Sequence, residues 1–190
     1  MSTTRLEAFT DGVLAILITI MVLELHVPSG TDLGALRPVA PVLAVYLLSF
    51  VFLGIYWNNH HHMFHLVDRV TAGILWANLD LLFWLSLVPF VTGWMALTGF
   101  AAVPTAAYGA VLLMAAVAYW FLVIVINRAH EPDARVRLVT GSNTKGTVSA
   151  GLYLVAVPLA LLFRWAAVGI YVAVAMMWFI PNRGAERTAE

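Results

Sequence analysis

The chain has 190 residues, of which 62% are hydrophobic and only 11% are charged. Soluble domains are typically about 45–50% apolar and about 25% charged, so this composition indicates an integral membrane protein. The formal net charge is zero, which argues against a nucleic-acid partner. The absence of cysteine excludes disulfides, thiolate metal sites and a cysteine nucleophile.

Six apolar segments follow one another along the chain. A helix needs roughly 20 apolar residues to cross a hydrocarbon core of about 30 Å, and the six segments reach that length, some of them narrowly. Pro28 and Gly30 end the first segment, and we expect it to be retained because no small-residue cleavage site follows it. Pro89 is expected to kink the third helix. The sequence therefore predicts one all-α transmembrane domain over residues 1–190, with helices at residues 9–25, 38–57, 72–97, 103–126, 147–163 and 165–180.

The orientation of the segments follows from the lysines and arginines between them. If the N-terminus is inside, the inner segments carry eight of these residues and the outer segments carry two, Arg37 and Arg164. Short cytoplasmic loops carry the excess of positive charge in membrane proteins. The sequence therefore predicts that both termini are cytoplasmic. The eight inner residues are Arg5, Arg69, Arg128, Arg135, Arg137, Lys145, Arg183 and Arg187.

Ionisable and amide side chains lie within the first three apolar segments, at a similar shallow depth near the predicted inner face. Charged groups inside a membrane are costly and usually pair with one another. We therefore predict a buried network near the inner face, while separate groups that each reach water remain the alternative. The predicted members are Arg5, Thr10, Asp11, His60, His61 and Asn78, with Asp80 as a possible further member.

A run of histidines ends the second segment. His61 and His65 are four residues apart, so they lie on one helix face at a spacing that zinc ligands use. The glutamate of an H-E-x-x-H motif is absent, however, and consecutive histidines point in different directions. We therefore expect no metal site and no cofactor, although a role in pH sensing stays open. No catalytic triad or phosphate loop is present, so no enzyme is predicted.

One stripe of the first segment holds Gly12, Ile16, Thr19, Ile20 and Leu23 at helical spacing. This periodicity alone fits a lipid-facing or packing face as well as a pore with hydrophobic constrictions. The stripe continues from Asp11, and Glu24 follows it at the outer end. We interpret the stripe as a candidate pore lining, with Glu24 as a candidate outer-mouth residue.

Three motifs in the first half of the chain resemble those of the transmembrane protein 175 family, the lysosomal and bacterial potassium channels. The first, R-x-x-x-F-T-D-G at residues 5–12, resembles the family signature R-x-x-x-F-S-D-G. W-x-x-H-H-x-x-F at residues 57–64 and L-S-L-V-P-F-x-T at residues 85–92, the latter preceded by Asn78, resemble its second- and third-helix patterns. Thr10 replaces the signature serine, and Val91 stands where a second proline is common.

The resemblance implies a potassium-selective channel that lacks the T-V-G-Y-G filter. It implies a tetramer in which the first helix of each six-helix subunit surrounds a central pore. Ile16, Ile20 and Leu23 would form the constriction rings and Thr19 a hydroxyl layer. The signature residues Arg5, Phe9, Thr10 and Asp11 would tie the first helix to His60, His61 and the third helix.

The resemblance therefore implies a channel in a bacterial plasma membrane that passes potassium and caesium in preference to sodium. Its partners would be the lipid bilayer, monovalent cations and further copies of the same chain. The alternative is a proton-coupled carrier that uses Asp11, Asp80 and His60 as a relay. A metal-dependent membrane enzyme and a scaffold without transport are the remaining alternatives.

Overall fold

The computed structural model describes residues 2–65, 67–130 and 144–179, and this part of the chain is helical without strands. Five stretches are long and apolar enough to cross a membrane, and a shorter apolar helix follows them. The predicted all-α fold with six apolar segments is confirmed. A short 3-10 helix at Leu33–Leu36 lies between the first two helices. The α-helices are α1 Thr3–Leu23, α2 Ala40–Phe64, α3 Ala72–Ser86, α4 Val88–Leu97, α5 Ala102–Ala129, α6 Thr144–Leu162 and α7 Arg164–Phe179.

Two helices extend furthest beyond the predicted boundaries. α1 begins at Thr3 rather than at residue 9, and α2 continues to Phe64 rather than ending at residue 57. Apolar composition marks the part of a helix that crosses hydrocarbon, whereas backbone hydrogen bonds continue through polar residues as well. Both extensions carry the polar motifs into regular helix. The predicted end of the sixth segment at residue 180 lies outside the described residues.

The third apolar segment is a broken helix. α3 ends at Ser86 and α4 begins at Val88, with Leu87 between them. Pro89 has no N–H and cannot satisfy the carbonyl of the preceding turn, and the Leu87 N–H turns to the Trp84 carbonyl at 3.2 Å. The Ser86 hydroxyl donates to the Phe83 carbonyl at 2.7 Å. The helix is therefore interrupted at the place where a kink is expected from Pro89.

Buried hydroxyl groups fasten the broken segment to its neighbours. The Ser49 hydroxyl of α2 lies 2.7 Å from that of Thr92 in α4 and 3.0 Å from that of Tyr108 in α5. All three side chains are buried. Polar groups inside a membrane protein must find partners within the protein, so these bonds fix α4 between α2 and α5.

α5 is the centre of the helix packing and contacts α3, α4, α6 and α7. Gly109 of α5 allows the hydroxyl of Tyr171 from α7 to approach its backbone, at a place where a Cβ atom would overlap the tyrosine. That hydroxyl donates to the Thr105 carbonyl at 3.1 Å. Small residues at helix contacts let backbones approach closely in membranes. α5 therefore belongs to a tightly packed scaffold.

Candidate functional site

The two faces of α1 are very different. One face is buried against α2, α3 and α4. Its residues recur at steps of four, four, three and four, as Leu6, Thr10, Leu14, Leu17 and Met21. The other face is uncovered in the single chain, with Ile16 58% and Leu23 81% exposed. The predicted stripe of Gly12, Ile16, Thr19, Ile20 and Leu23 lies entirely on this uncovered face.

Two small or polar residues interrupt the aliphatic side chains of this uncovered face. A Cβ atom at Gly12 would meet nothing within 4 Å, so the space there is open. The Thr19 hydroxyl donates to the Ile16 carbonyl at 2.9 Å. Its proton is thus used within the helix, while its oxygen lone pairs stay available to accept from a solvent molecule or to contact a cation. The face offers one oxygen layer between the aliphatic groups of Ile16 and Ile20.

A buried chain of three polar side chains joins α1, α2 and α3. The Asn78 amide nitrogen donates to the Thr10 hydroxyl at 3.0 Å, and the Asn78 amide oxygen accepts from His60 Nε2 at 2.8 Å. Because that amide oxygen can only accept, His60 carries its ring proton on Nε2. The His60 ring also stacks on Phe64, with centroids 4.3 Å apart. Thr10, His60 and Asn78 from the predicted network therefore meet; we call these three residues the inner anchor.

A second seam between α1 and α2 lies at the edge of the inner anchor. The Trp57 indole N–H donates to the Asp11 carboxylate at 3.0 Å. His61 stacks on Trp57, and its Nδ1 lies 3.9 Å from the Glu7 carboxylate, which makes an ion pair when the imidazole is protonated. Sequence reasoning missed Glu7 and Trp57 as contact residues. The sequence does contain a sign of these contacts. Glu7 and Asp11 are four residues apart, as are Trp57 and His61, so each pair lies on one helix face.

The other predicted members of the network do not join it within one chain. Arg5, Phe9 and Asp80 are exposed, and the described part of the chain gives their side chains no hydrogen bond or ion pair. Residues two apart on an α-helix point about 160° away from each other. Because Asn78 points at α1 and α2, Asp80 points away from both helices.

Glu24 lies against α4 rather than along the uncovered face of α1. It is an exposed residue that directly follows Leu23, the last residue of α1. A Cβ atom at Gly93 would lie 2.9 Å from a Glu24 carboxylate oxygen. Glu24 lines a cavity of about 450 Å³ together with Tyr46, Thr92 and Trp94.

The histidines at the end of α2 form no metal site with the neighbours that the structure places. Among the described residues, no group of three or more histidine or acidic side chains is arranged to hold a metal ion. The rings of His61 and His65 are 6.3 Å apart. His61 instead contacts Trp57 and Glu7, as a residue of an interhelical seam.

The fold and this site define an all-helical integral membrane protein in which the first helix keeps one face uncovered. Residues 5–89 match the family described as Endosomal/lysosomal potassium channel TMEM175. The crystal structure of a lysosomal potassium-selective channel TMEM175 homolog from Chamaesiphon minutus superposes with a TM-score of 0.76, at 31% identity, over 93% of this chain and 95% of that chain.

Two sequence relatives extend the comparison. A protein named potassium channel from Chryseobacterium sp. is 46% identical over 97% of this chain and 96% of its own length. The Homo sapiens endosomal/lysosomal proton channel TMEM175 is 34% identical over 39% of this chain, which is 17% of the human protein. The chain therefore belongs to the TMEM175 family, a family of membrane channels and not of enzymes.

Proposed function

We propose that the chain forms a potassium-selective cation channel in which the uncovered face of α1 lines the pore. The observation that carries the proposal is that uncovered face, which holds Ile16, Ile20 and Leu23 around the Thr19 oxygen. A single helix cannot enclose a water path, so several copies must surround an axis with closed symmetry. The match to the lysosomal potassium-selective channel TMEM175 homolog from Chamaesiphon minutus supports a channel, and four copies is the number that the family resemblance implies.

The aliphatic side chains supply both the gate and the selectivity. Ile16, Ile20 and Leu23 would form successive rings over about 10 Å of the pore. A narrow apolar ring excludes water and so blocks ions, whereas a slightly wider one passes ions that give up part of their hydration. A potassium ion gives up hydration water more readily than a sodium ion. Thr19 oxygens would replace some of the water molecules that the potassium ion loses.

The inner anchor sets the position of α1 and therefore the width of the pore. Its hydrogen bonds tie Thr10 to Asn78 and Asn78 to His60, so α1 is fixed at this level to both α2 and α3. Rotation or tilt of α1 about this fixed level moves Ile16 and Leu23 relative to the axis. Arg5 and Phe9 lie beside the inner anchor on the uncovered face of α1, where they would line the inner entrance of the pore.

The orientation proposed from the positive residues places the anchor on the cytoplasmic side of a bacterial plasma membrane. Glu24 then lies at the outer end of α1 and contributes negative potential there, which attracts cations. Its carboxylate faces Gly93, so this contribution acts through space rather than through contact with the pore axis. Lipid and monovalent cations are the only further partners of the proposal, and no cofactor is part of it.

The proposal is tested by ion flux into liposomes that contain the purified protein. Ile16→Asn is expected to raise potassium flux and to lower the preference for potassium over sodium, because a polar ring no longer excludes water. Leu154→Asn on α6 is the matched control, since Leu154 is 64% exposed but lies outside α1. Equal flux and selectivity in the parent and the Ile16→Asn variant would show that this face does not line the pore.

Proton permeation is a second candidate, because the human relative is named a proton channel. A relay through Asp11, His60 and Asp80 needs these groups to exchange protons, yet Asp11 bonds to Trp57 and His60 bonds to Asn78. A pH-sensitive dye inside potassium-free liposomes tests it directly. Acidification that Asp11→Asn and Asp80→Asn both abolish would favour the relay, and acidification unaffected by them would exclude it.

A further inference from the structure

Asp80 is a carboxylate on an uncovered apolar face of a membrane helix. It lies eight residues after Ala72, which is about 12 Å along α3. Trp76 and Phe83, one turn before it and close to one turn after it, are 73% and 55% exposed. No hydrogen bond or ion pair reaches Asp80 from the described residues. A charge at such a depth requires a protein or water partner, and the side chain is too short to reach the membrane surface.

Asn58 is a second unpartnered polar group, on the uncovered face of α2. It is exposed, and its side chain makes no hydrogen bond with the rest of the described chain. Gly54 lies one turn away on the same face, and a Cβ atom there would meet nothing within 4 Å. A glycine beside a polar side chain lets another helix approach closely and satisfy that group.

These two groups lie at the same depth. The hydrogen bond of 2.8 Å between His60 and Asn78 fixes a common level for α2 and α3, which run antiparallel. Asn58 precedes His60 by two residues and Asp80 follows Asn78 by two, so both lie about 3 Å from that level on the same side. Rotation about an axis normal to the membrane preserves depth. Asn58 of one copy and Asp80 of the next therefore stand at equal height in every cyclic oligomer.

The side chains of Asn58 and Asp80 point in directions that allow contact between two copies but not within one chain. Both residues are two positions from the His60–Asn78 contact, so each points about 160° away from it. They therefore face outward from separate helices. In a ring, each subunit contacts its two neighbours through two different surfaces. The uncovered faces of α2 and α3 are two such surfaces.

Arg5, an exposed cation near the inner end of α1, lies at a different depth. Thr10 is level with Asn78 through their hydrogen bond of 3.0 Å. Arg5 lies five residues before Thr10, while Asp80 lies two residues beyond Asn78, so their backbones differ in height by about 10 Å.

We propose that Asn58 of one subunit donates a hydrogen bond to Asp80 of the next, across an interface between the uncovered faces of α2 and α3. The amide supplies two N–H donors, and an ionised carboxylate is purely an acceptor. The pair gives Asp80 a partner inside the membrane and gives the ring a defined register. This interface rests on the proposed assembly of several copies around the pore and names the surfaces that would build it.

Paired cysteines test the contact, and the chain has no cysteine that would interfere. A short bifunctional methanethiosulfonate reagent should link the double variant Asn58→Cys/Asp80→Cys into a ladder of dimer, trimer and closed ring. A mixture of the two single variants in one membrane should stop at covalent dimers. His62→Cys/Asp80→Cys is the control, because His62 lies one turn nearer the membrane surface, about 6 Å away. An equal ladder from this control, or none from the paired cysteines, would overturn the contact.

An exchange of the two groups provides an independent readout. Asn58→Asp places two carboxylates together and should lower the detergent concentration at which the oligomer dissociates. Asn58→Asp/Asp80→Asn restores a donor–acceptor pair and should return that concentration to the parent value. Asn58→Asp/Glu7→Gln removes a different carboxylate and should not. A double variant that dissociates as early as Asn58→Asp alone would overturn the pairing.

Potassium flux in the same samples distinguishes the two levels of the proposal. A parent protein that conducts as an oligomer, with a double cysteine variant that gives no ladder, would contradict only the Asn58–Asp80 contact. A parent protein that stays monomeric in membranes and passes no potassium would contradict the channel assembly itself.

Discussion

α5 and α1 are both apolar helices long enough to cross a membrane, yet the chain surrounds them differently. α5 contacts α3, α4, α6 and α7, and the Gly109–Tyr171 contact locks it to α7. α1 is packed on one face only and is held near its N-terminus by the inner anchor. α5 is held by four neighbouring helices and keeps only part of its surface exposed, for example at Val117, Trp120 and Phe121. α1 leaves a whole face for other copies or for lipid.

The comparison shows that burial alone cannot identify the functional helix, because lipid also covers apolar faces. α1 combines an uncovered face that holds Gly12 and Thr19 with a polar bond near its N-terminal end. A helix that only faces lipid needs neither. Substitutions in the scaffold around α5 and in α1, which is packed on one face only, should therefore have different effects on stability and on potassium flux.

The largest expected effect comes from the scaffold. Gly109→Ala introduces a Cβ atom that overlaps the Tyr171 hydroxyl and ring, so α5 and α7 must separate, at a cost of about 3 kcal/mol in the free energy of unfolding. Thermal unfolding in detergent measures it. Gly169→Ala is the control, because the space there is open. A Gly109→Ala protein as stable as Gly169→Ala would show that the scaffold is loosely packed.

A smaller effect is expected from the inner anchor. Asn78→Leu leaves the buried His60 ring and the Thr10 hydroxyl without a partner, which costs about 2 kcal/mol. His60→Phe/Asn78→Leu removes both polar partners and should be less destabilised than Asn78→Leu alone. Thermal unfolding of both variants measures the difference. Equal stability of Asn78→Leu and the parent would mean that the anchor does not hold α1.

The smallest effect is expected at the exposed seam between Asp11 and Trp57. Trp57→Phe removes the indole donor but keeps the aromatic stack on His61, so the loss is about 1 kcal/mol, reduced by solvent that replaces the bond. Since α1 loses one tie and keeps the inner anchor, the potassium flux should change by less than it does in Asn78→Leu. A larger change for Trp57→Phe would make this seam the main support of α1.

Several features of the fold and the site follow directly from the sequence, for clear physical reasons. Hydrophobic length predicts the helices, since the bilayer fixes how many apolar residues a crossing needs. Pro89 predicts the break between α3 and α4, because a missing N–H acts locally. The cost of isolated polar groups in a membrane predicts that Thr10, His60 and Asn78 meet, and they do.

The depth of a residue in the membrane does not predict the direction in which its side chain points. Asp80 shares its depth with the anchor but faces the opposite way, since two residues along a helix reverse the side chain. Glu24 directly follows the C-terminal end of α1, and its position three residues after Met21 turns its carboxylate towards Gly93. Trp57 bonds to Asp11 across two helices, a contact that depends on how α1 and α2 are rotated against each other.

The most direct test of the central claim is thiol block at the outer end of the uncovered face of α1. Leu23→Cys places the single thiol of the chain there, and a charged methanethiosulfonate reagent is added outside liposomes while potassium flux is recorded. If α1 lines the pore, the reagent should stop the flux of Leu23→Cys and leave that of Leu154→Cys unchanged. Undiminished flux through a fully modified Leu23→Cys protein would contradict the claim.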